Sequence, residues 1–217
     1  MDSAVQRKNM VDSQVRPNDV TDRRIPRAML DTPREPFVPE DRRAIAYMDG
    51  NLPVSATGRC LLAPRTLAKM LQMLVIEPES TILDVAPATG YSTAVIARIA
   101  KRVVAVESDA ALAATATVAL KALGLANAEM HIGALADGVP ARGPYDGILV
   151  GGTVSEVPRA LLDQLKDGGR LVAILDVNGV GKVYEWRRYA MSFDRRSVFD
   201  AEAPVLPGFE RTAEFSL

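Results

Sequence analysis

ILDVAPATGYSTAVIA, residues Ile82 to Ala97, followed shortly by RVVAVE, Arg102 to Glu107, decides the fold. Each piece opens with a short apolar run suited to a buried strand, Thr81 to Ala86 and Arg102 to Glu107. Between them, from about Tyr91 to Ala100, the pattern is helical. The same alternation continues outward, with strands expected at Ala128 to Ile132, Asp146 to Val150 and Arg170 to Leu175. Helices are expected at Ala110 to Leu123, closed by Gly124 as C-cap, and at Pro158 to Leu165. Strands that alternate with helices build a parallel sheet covered on both faces. Beyond Asp176 the helical pattern stops. VNGV, around Asn178 and Gly179, is a type I′ hairpin signal that joins a strand ending near Val177 to another at Lys182 to Arg188.

Upstream the texture differs. Residues 1 to about 75 are rich in arginine, proline and aspartate, with helical spacing at Val5, Met10, Val11 and Val15, and again at Ile25, Met29 and Leu30. Thr21 and Asp22 suggest an N-cap and first turn, Pro26 should bend the helix after it, and PREPFVPED, Pro33 to Asp41, reads as an extended connection. The expected organisation is an N-terminal helical and loop segment, residues 1–78, covering a Rossmann-like domain, residues 79–217, in one compact unit.

Composition narrows the function. Lysine plus arginine total 26 against 27 acidic residues, a balance that gives no general drive toward nucleic acid or anionic membranes. One cysteine, Cys60, and one histidine, His131, exclude an intramolecular disulfide and a multi-histidine metal site, so no metal is expected. The longest apolar stretch, Ala110 to Leu120, falls short of a membrane span, and the N-terminus lacks the apolar core of a signal peptide. A cytoplasmic location is the expectation, and the sequence leaves the oligomeric state open, a monomer included.

In a doubly wound sheet, ligands bind beyond the carboxyl ends of the strands where strand order reverses. The loop after the first strand runs from Asp84 through Ala86, Pro87, Ala88 and Thr89 to Gly90 and Tyr91, and Glu107 ends the next strand. A carboxylate there suits the two hydroxyls of a ribose; the plainer alternative is a cap for the helix that begins near Ser108 or Asp109. Thr89 and Gly90 suit a tight turn that aims backbone N–H groups at an anion. Ala86 and Ala88 stand where close backbone approach to a ligand normally calls for glycine, and Pro87 removes a donor.

The string from Ile82 to Ala97, then RVVAVESD, then PYDGILVGGTVSEVPRALLDQLKDGGRLVAIL, resembles the core of class I S-adenosylmethionine-dependent methyltransferases. Two further segments resemble the protein-L-isoaspartate O-methyltransferases within that superfamily. PREPFVPED is similar to their PREEFVPE stretch, and YMDGNLPV…GRCLLAP, Tyr47 to Pro64, to their YEDRPLPI…GQTISQP stretch. The resemblance implies a three-layer α/β/α Rossmann-like methyltransferase fold with S-adenosyl-L-methionine as cofactor. It further implies a peptide or protein substrate carrying a carboxylate, the α-carboxyl of L-isoaspartyl residues in damaged polypeptides. Cofactor contacts are implied at Asp84, Ala86, Ala88, Gly90, Tyr91 and Glu107.

The departures fall on the implied site. GxGxGY becomes Ala86 to Tyr91, keeping the last glycine and the tyrosine. The family's substrate-binding serine aligns with Leu62, and its adenine-contacting acid with Ala134, with Asp137 three residues on. Arg59, or Ser55 and Thr57, are the nearby groups expected to hold a substrate carboxylate in place of the serine, and activity is expected to be weak or altered in specificity. Two other functions compete: a methyltransferase fold kept as a peptide- or protein-binding module without catalysis, and a nicotinamide-dependent dehydrogenase, which lacks GxGxxG.

Other features read as structural. Gly179 to Lys182 belongs to the hairpin, His131 to a sheet face, Trp186 to packing beside Tyr184, and Arg187, Arg188, Arg195 and Arg196 to a solvated edge. Cys60 lacks an evident base and is not expected to be a nucleophile.

Overall fold

The computed structural model describes residues 2–209. Its centre is a seven-stranded sheet in the order β5-β4-β3-β6-β7-β8-β9. The strands are β3 (Thr81–Val85), β4 (Arg102–Glu107), β5 (Ala128–Ile132), β6 (Tyr145–Val154), β7 (Leu165–Val177), β8 (Val180–Tyr189) and β9 (Ser192–Asp200). The first five pair in parallel, and β7-β8-β9 form an antiparallel meander. Order reverses at β3, which has β4 on one side and β6 on the other, so a crevice opens at the carboxyl ends of β3 and β6.

Helices α4 (Tyr91–Ala97), α5 (Ala110–Ala122) and α6 (Arg159–Leu162) connect the parallel strands. Asp109 caps α5, its carboxylate accepting from the N–H groups of Ala111 and Leu112, and Gly124 ends the helix region at φ +68°. Asn178 and Gly179 both have positive φ, as a type I′ turn requires. The expected strands and helices therefore stand, with two corrections. The Pro158 to Leu165 helix shortens to α6, because Leu165 already starts β7. The antiparallel part also holds a third strand, β9, whose mostly exposed, arginine-interrupted sequence has no clean apolar alternation.

The N-terminal segment supplies α1 (Ser3–Met10), continued by a π-helical turn over Val11–Val15, then α2 (Arg24–Asp31) and α3 (Pro64–Met73). Pro26 does not bend α2. It lies in the first turn, where its missing N–H has no helical partner to lose. The N-cap position of α2 is Arg23, with no side-chain cap, and just before it the Asp22 carboxylate accepts from the Arg24 N–H, while Thr21 bonds Gln72. PREPFVPED is not extended: its prolines open 3-10 turns over Glu35–Phe37 and Glu40–Ile45. Met10, Val11, Val15, Ile25 and Met29 share one apolar cluster with Ile82, Ala94, Val95 and Val103, so the segment is packed onto one face of the sheet. A two-stranded hairpin, β1 (Leu52–Pro53) and β2 (Cys60–Leu61), joins this segment to α3.

Among the described residues no helix is long and apolar enough to cross a membrane.

Candidate active site

The crevice is lined by the loop after β3, and its backbone is unusual for the residues that form it. Ala86 and Ala88 both take left-handed conformations, φ +64° and +54°, and Gly90 follows at +93°. The left-handed region costs a non-glycine residue roughly 1–2 kcal/mol, so the loop keeps a glycine-type path while two methyl groups occupy it. Gly90 has no alternative, because a Cβ there would stand 2.8 Å from the Ala116 Cβ on α5. Gly151 in β6 lets the neighbouring strand approach, since its Cβ would meet the Ala86 carbonyl oxygen at 2.6 Å.

Asp84 is fully buried at the end of β3. Its Oδ2 accepts from the Ser92 and Thr93 hydroxyls, each at 2.7 Å, while Oδ1 has no partner. Burial pushes this carboxyl up to about 7, against the two hydroxyls that favour the charged form.

Glu107 is also fully buried, yet every oxygen of its carboxylate is engaged. Oε1 accepts from the N–H of Ser108 at 2.8 Å and of Asp109 at 3.2 Å, and Oε2 from the N–H of Ala88 at 2.9 Å. Arg59 completes the shell with two parallel bonds, Nη1 to Oε1 at 2.6 Å and Nη2 to Oε2 at 2.8 Å, and Nη2 also donates to the Ala86 carbonyl at 3.0 Å. The guanidinium is 4% exposed. Such a two-point pair is the strongest geometry available to these side chains. Glu107 thus binds backbone N–H groups ahead of α5, whose cap is Asp109, and it holds an arginine in addition.

The hairpin positions Arg59. The Arg59 carbonyl accepts from the Val54 N–H at 2.8 Å, its N–H donates to the Ser55 hydroxyl at 3.2 Å, and Ser55 pairs with Thr57 at 2.8 Å. Gly58 turns the chain at φ +82°. Ser55 and Thr57 are thereby committed to shaping the turn, and Arg59 is directed inward at the chain's own carboxylate rather than outward at a substrate. Leu62, three residues further along, is buried, and its carbonyl faces Arg34 Nη2 at 3.5 Å. Arg34, fully buried, lies 4.4 Å from the centre of the Tyr91 ring and makes the floor of this region. Burial pushes the Cys60 thiol up to about 11, which leaves it protonated and unreactive at neutral pH.

Ala134 and Asp137 are exposed at a 3-10 turn after β5, over Leu135–Asp137. Leu62, Ala86, Pro87, Tyr91, Ser92 and Gly151 line a shallow recess of about 10 Å³. A single water needs about that much. In this arrangement the residues do not fit a ribose at Glu107, because Arg59 already occupies both of its carboxylate oxygens. Beside the loop, Asp84 Oδ1 and the Tyr91 hydroxyl are buried polar atoms without a hydrogen-bond partner. Trp186 packs beside Tyr184 at 5.8 Å and His131 lies at the sheet surface near Glu129, as expected, but the arginine edge is not simply solvated: Arg196, with Arg170, pairs with the buried Glu185, and Arg188 donates to the Asp163 and Leu165 carbonyls.

A parallel sheet with its order reversed at β3, and an acid at the end of the neighbouring strand, define a Rossmann-like α/β fold of the nucleotide-binding class. The chain is matched over residues 5–197 by the family Protein-L-isoaspartate(D-aspartate) O-methyltransferase (PCMT), and it belongs to that family. It is 35% identical over 99% of its length to the protein-L-isoaspartate O-methyltransferase of Roseiflexus sp., 98% of which is covered. It is 40% identical over 77% of its length to that of Herpetosiphon aurantiacus, with 75% covered. Among solved structures, the Plasmodium falciparum beta-aspartate methyltransferase in complex with S-adenosyl-L-homocysteine aligns over 92% of this chain and 97% of its own, with a TM-score of 0.80 at 23% identity.

Proposed function

We propose that this chain is an S-adenosyl-L-methionine-dependent protein carboxyl methyltransferase acting on L-isoaspartyl residues. The carrying observation is the family match across residues 5–197, which takes in the hairpin, the loop after β3 and the whole parallel sheet. The cofactor supplies an electrophilic methyl group, and a carboxylate is already an ionised nucleophile at neutral pH. No general base is needed, consistent with Leu62 and a protonated Cys60 at the substrate side. The chain's contribution is therefore positioning and exclusion of water. The apolar wall at Leu62 favours substrates with apolar surface beside the carboxylate. A fold kept without catalysis is not favoured by this membership. The test is methyl transfer to an isoaspartyl peptide and to its aspartyl isomer. Base-labile methyl ester on the isoaspartyl peptide alone is the expected result; none on either, with cofactor bound, contradicts it.

A further inference from the structure

We infer that Arg59 is the chain's own competitor for the cofactor's ribose, and that binding of the cofactor requires Arg59 to leave Glu107. This inference rests on the function proposed above. A ribose offers a carboxylate two hydroxyl donors side by side, and the Arg59 guanidinium presents the same pattern to the two oxygens of Glu107, at 2.6 and 2.8 Å. The stand-in extends to the backbone, where Arg59 Nη2 also occupies the Ala86 carbonyl at 3.0 Å. Both groups cannot hold the same two carboxylate oxygens at once.

Two features make withdrawal possible without unfolding. The short β1-β2 hairpin is anchored by Leu52, Val54 and Leu61 in the main apolar cluster, while the parallel sheet holds Glu107, so the Arg59 side chain can swing away without either backbone moving. Glu107 also keeps three backbone N–H donors when the guanidinium departs, so its charge remains partly satisfied. The released guanidinium lies three residues before Leu62, the position that the resemblance assigns to a donor for the substrate carboxylate. Cofactor binding thereby exposes the positive charge that the substrate requires.

The experiment measures S-adenosyl-L-homocysteine binding by calorimetry to the wild type, Arg59→Gln and Arg59→Met, with far-ultraviolet circular dichroism verifying the fold of each. Phenylglyoxal labelling of Arg59 in the wild type, resolved by mass spectrometry, is followed with and without the ligand. The expected result is affinity at least tenfold tighter in both variants, together with Arg59 labelling that rises when ligand binds. Equal or weaker affinity in both folded variants, or labelling that the ligand leaves unchanged, overturns the competition while leaving the methyltransferase function intact. Absence of binding to the wild type and to both variants overturns the function itself.

Discussion

At the residue scale, the loop after β3 makes opposite demands on its side chains. Ala86 and Ala88 hold φ values of +64° and +54° that glycine adopts freely. Replacing either by glycine should raise stability by about 0.5–1 kcal/mol, relief of left-handed strain exceeding the added unfolded-chain entropy. Urea denaturation measures this, and a loss of stability in both single variants would mean that the methyl groups pack more favourably than they strain. Asp84 gives a pH signature. Its folded-state pKa of about 7 lies above the ordinary 3.8, so the native state holds a proton that the unfolded chain has lost. Its contribution to stability is full below about 4 and disappears as pH rises through about 7. Asp84→Asn, which imitates the protonated acid, should flatten this part of the profile. Unfolding free energies at pH 5 and pH 8 that change alike in wild type and variant would contradict the assignment. The acid at the end of β4 is legible from its place in the strand pattern. Its partner is not, because Arg59 and Glu107 are 48 residues apart and only the hairpin's turn brings them together.

At the scale of elements, local signals suffice where strand and helix follow simple periods. TILDVA, RVVAVE and AEMHI are apolar enough to mark buried or half-buried strands, and the Asn178–Gly179 turn declares itself. Local patterns fail where tertiary pairing overrides them. β9 exposes most of its residues, and its place is set by the register against β8, from Tyr189 with Ser192 to Lys182 with Asp200. The prolines around residues 33–39 suggest an extended chain, although proline also begins a 3-10 turn readily, as it does here. The packing of α4 against α5 depends on Gly90, at φ +93° and with Ala116 Cβ only 2.8 Å from where a methyl would lie. Gly90→Ala should cost roughly 2–4 kcal/mol from combined strain and overpacking. Thermal and urea unfolding check this, and a change below about 0.5 kcal/mol, no more than an ordinary surface substitution produces, would show that the helices separate easily.

At the scale of the whole molecule, the N-terminal segment and the sheet form a continuous apolar cluster on one face, and the β1-β2 hairpin lies over the carboxyl ends of the strands. Membership of the isoaspartate methyltransferase family and a Glu107 already held by Arg59 are compatible if the hairpin's arginine yields to the cofactor and then serves the substrate. That sequence of events makes the two ligands bind in order. The most direct measurement is calorimetric binding of an isoaspartyl peptide to the wild-type protein, with and without saturating S-adenosyl-L-homocysteine. Peptide affinity at least tenfold tighter in the presence of the cofactor product is the predicted result, because Arg59 is free only then. Equal peptide affinity in both conditions would contradict it.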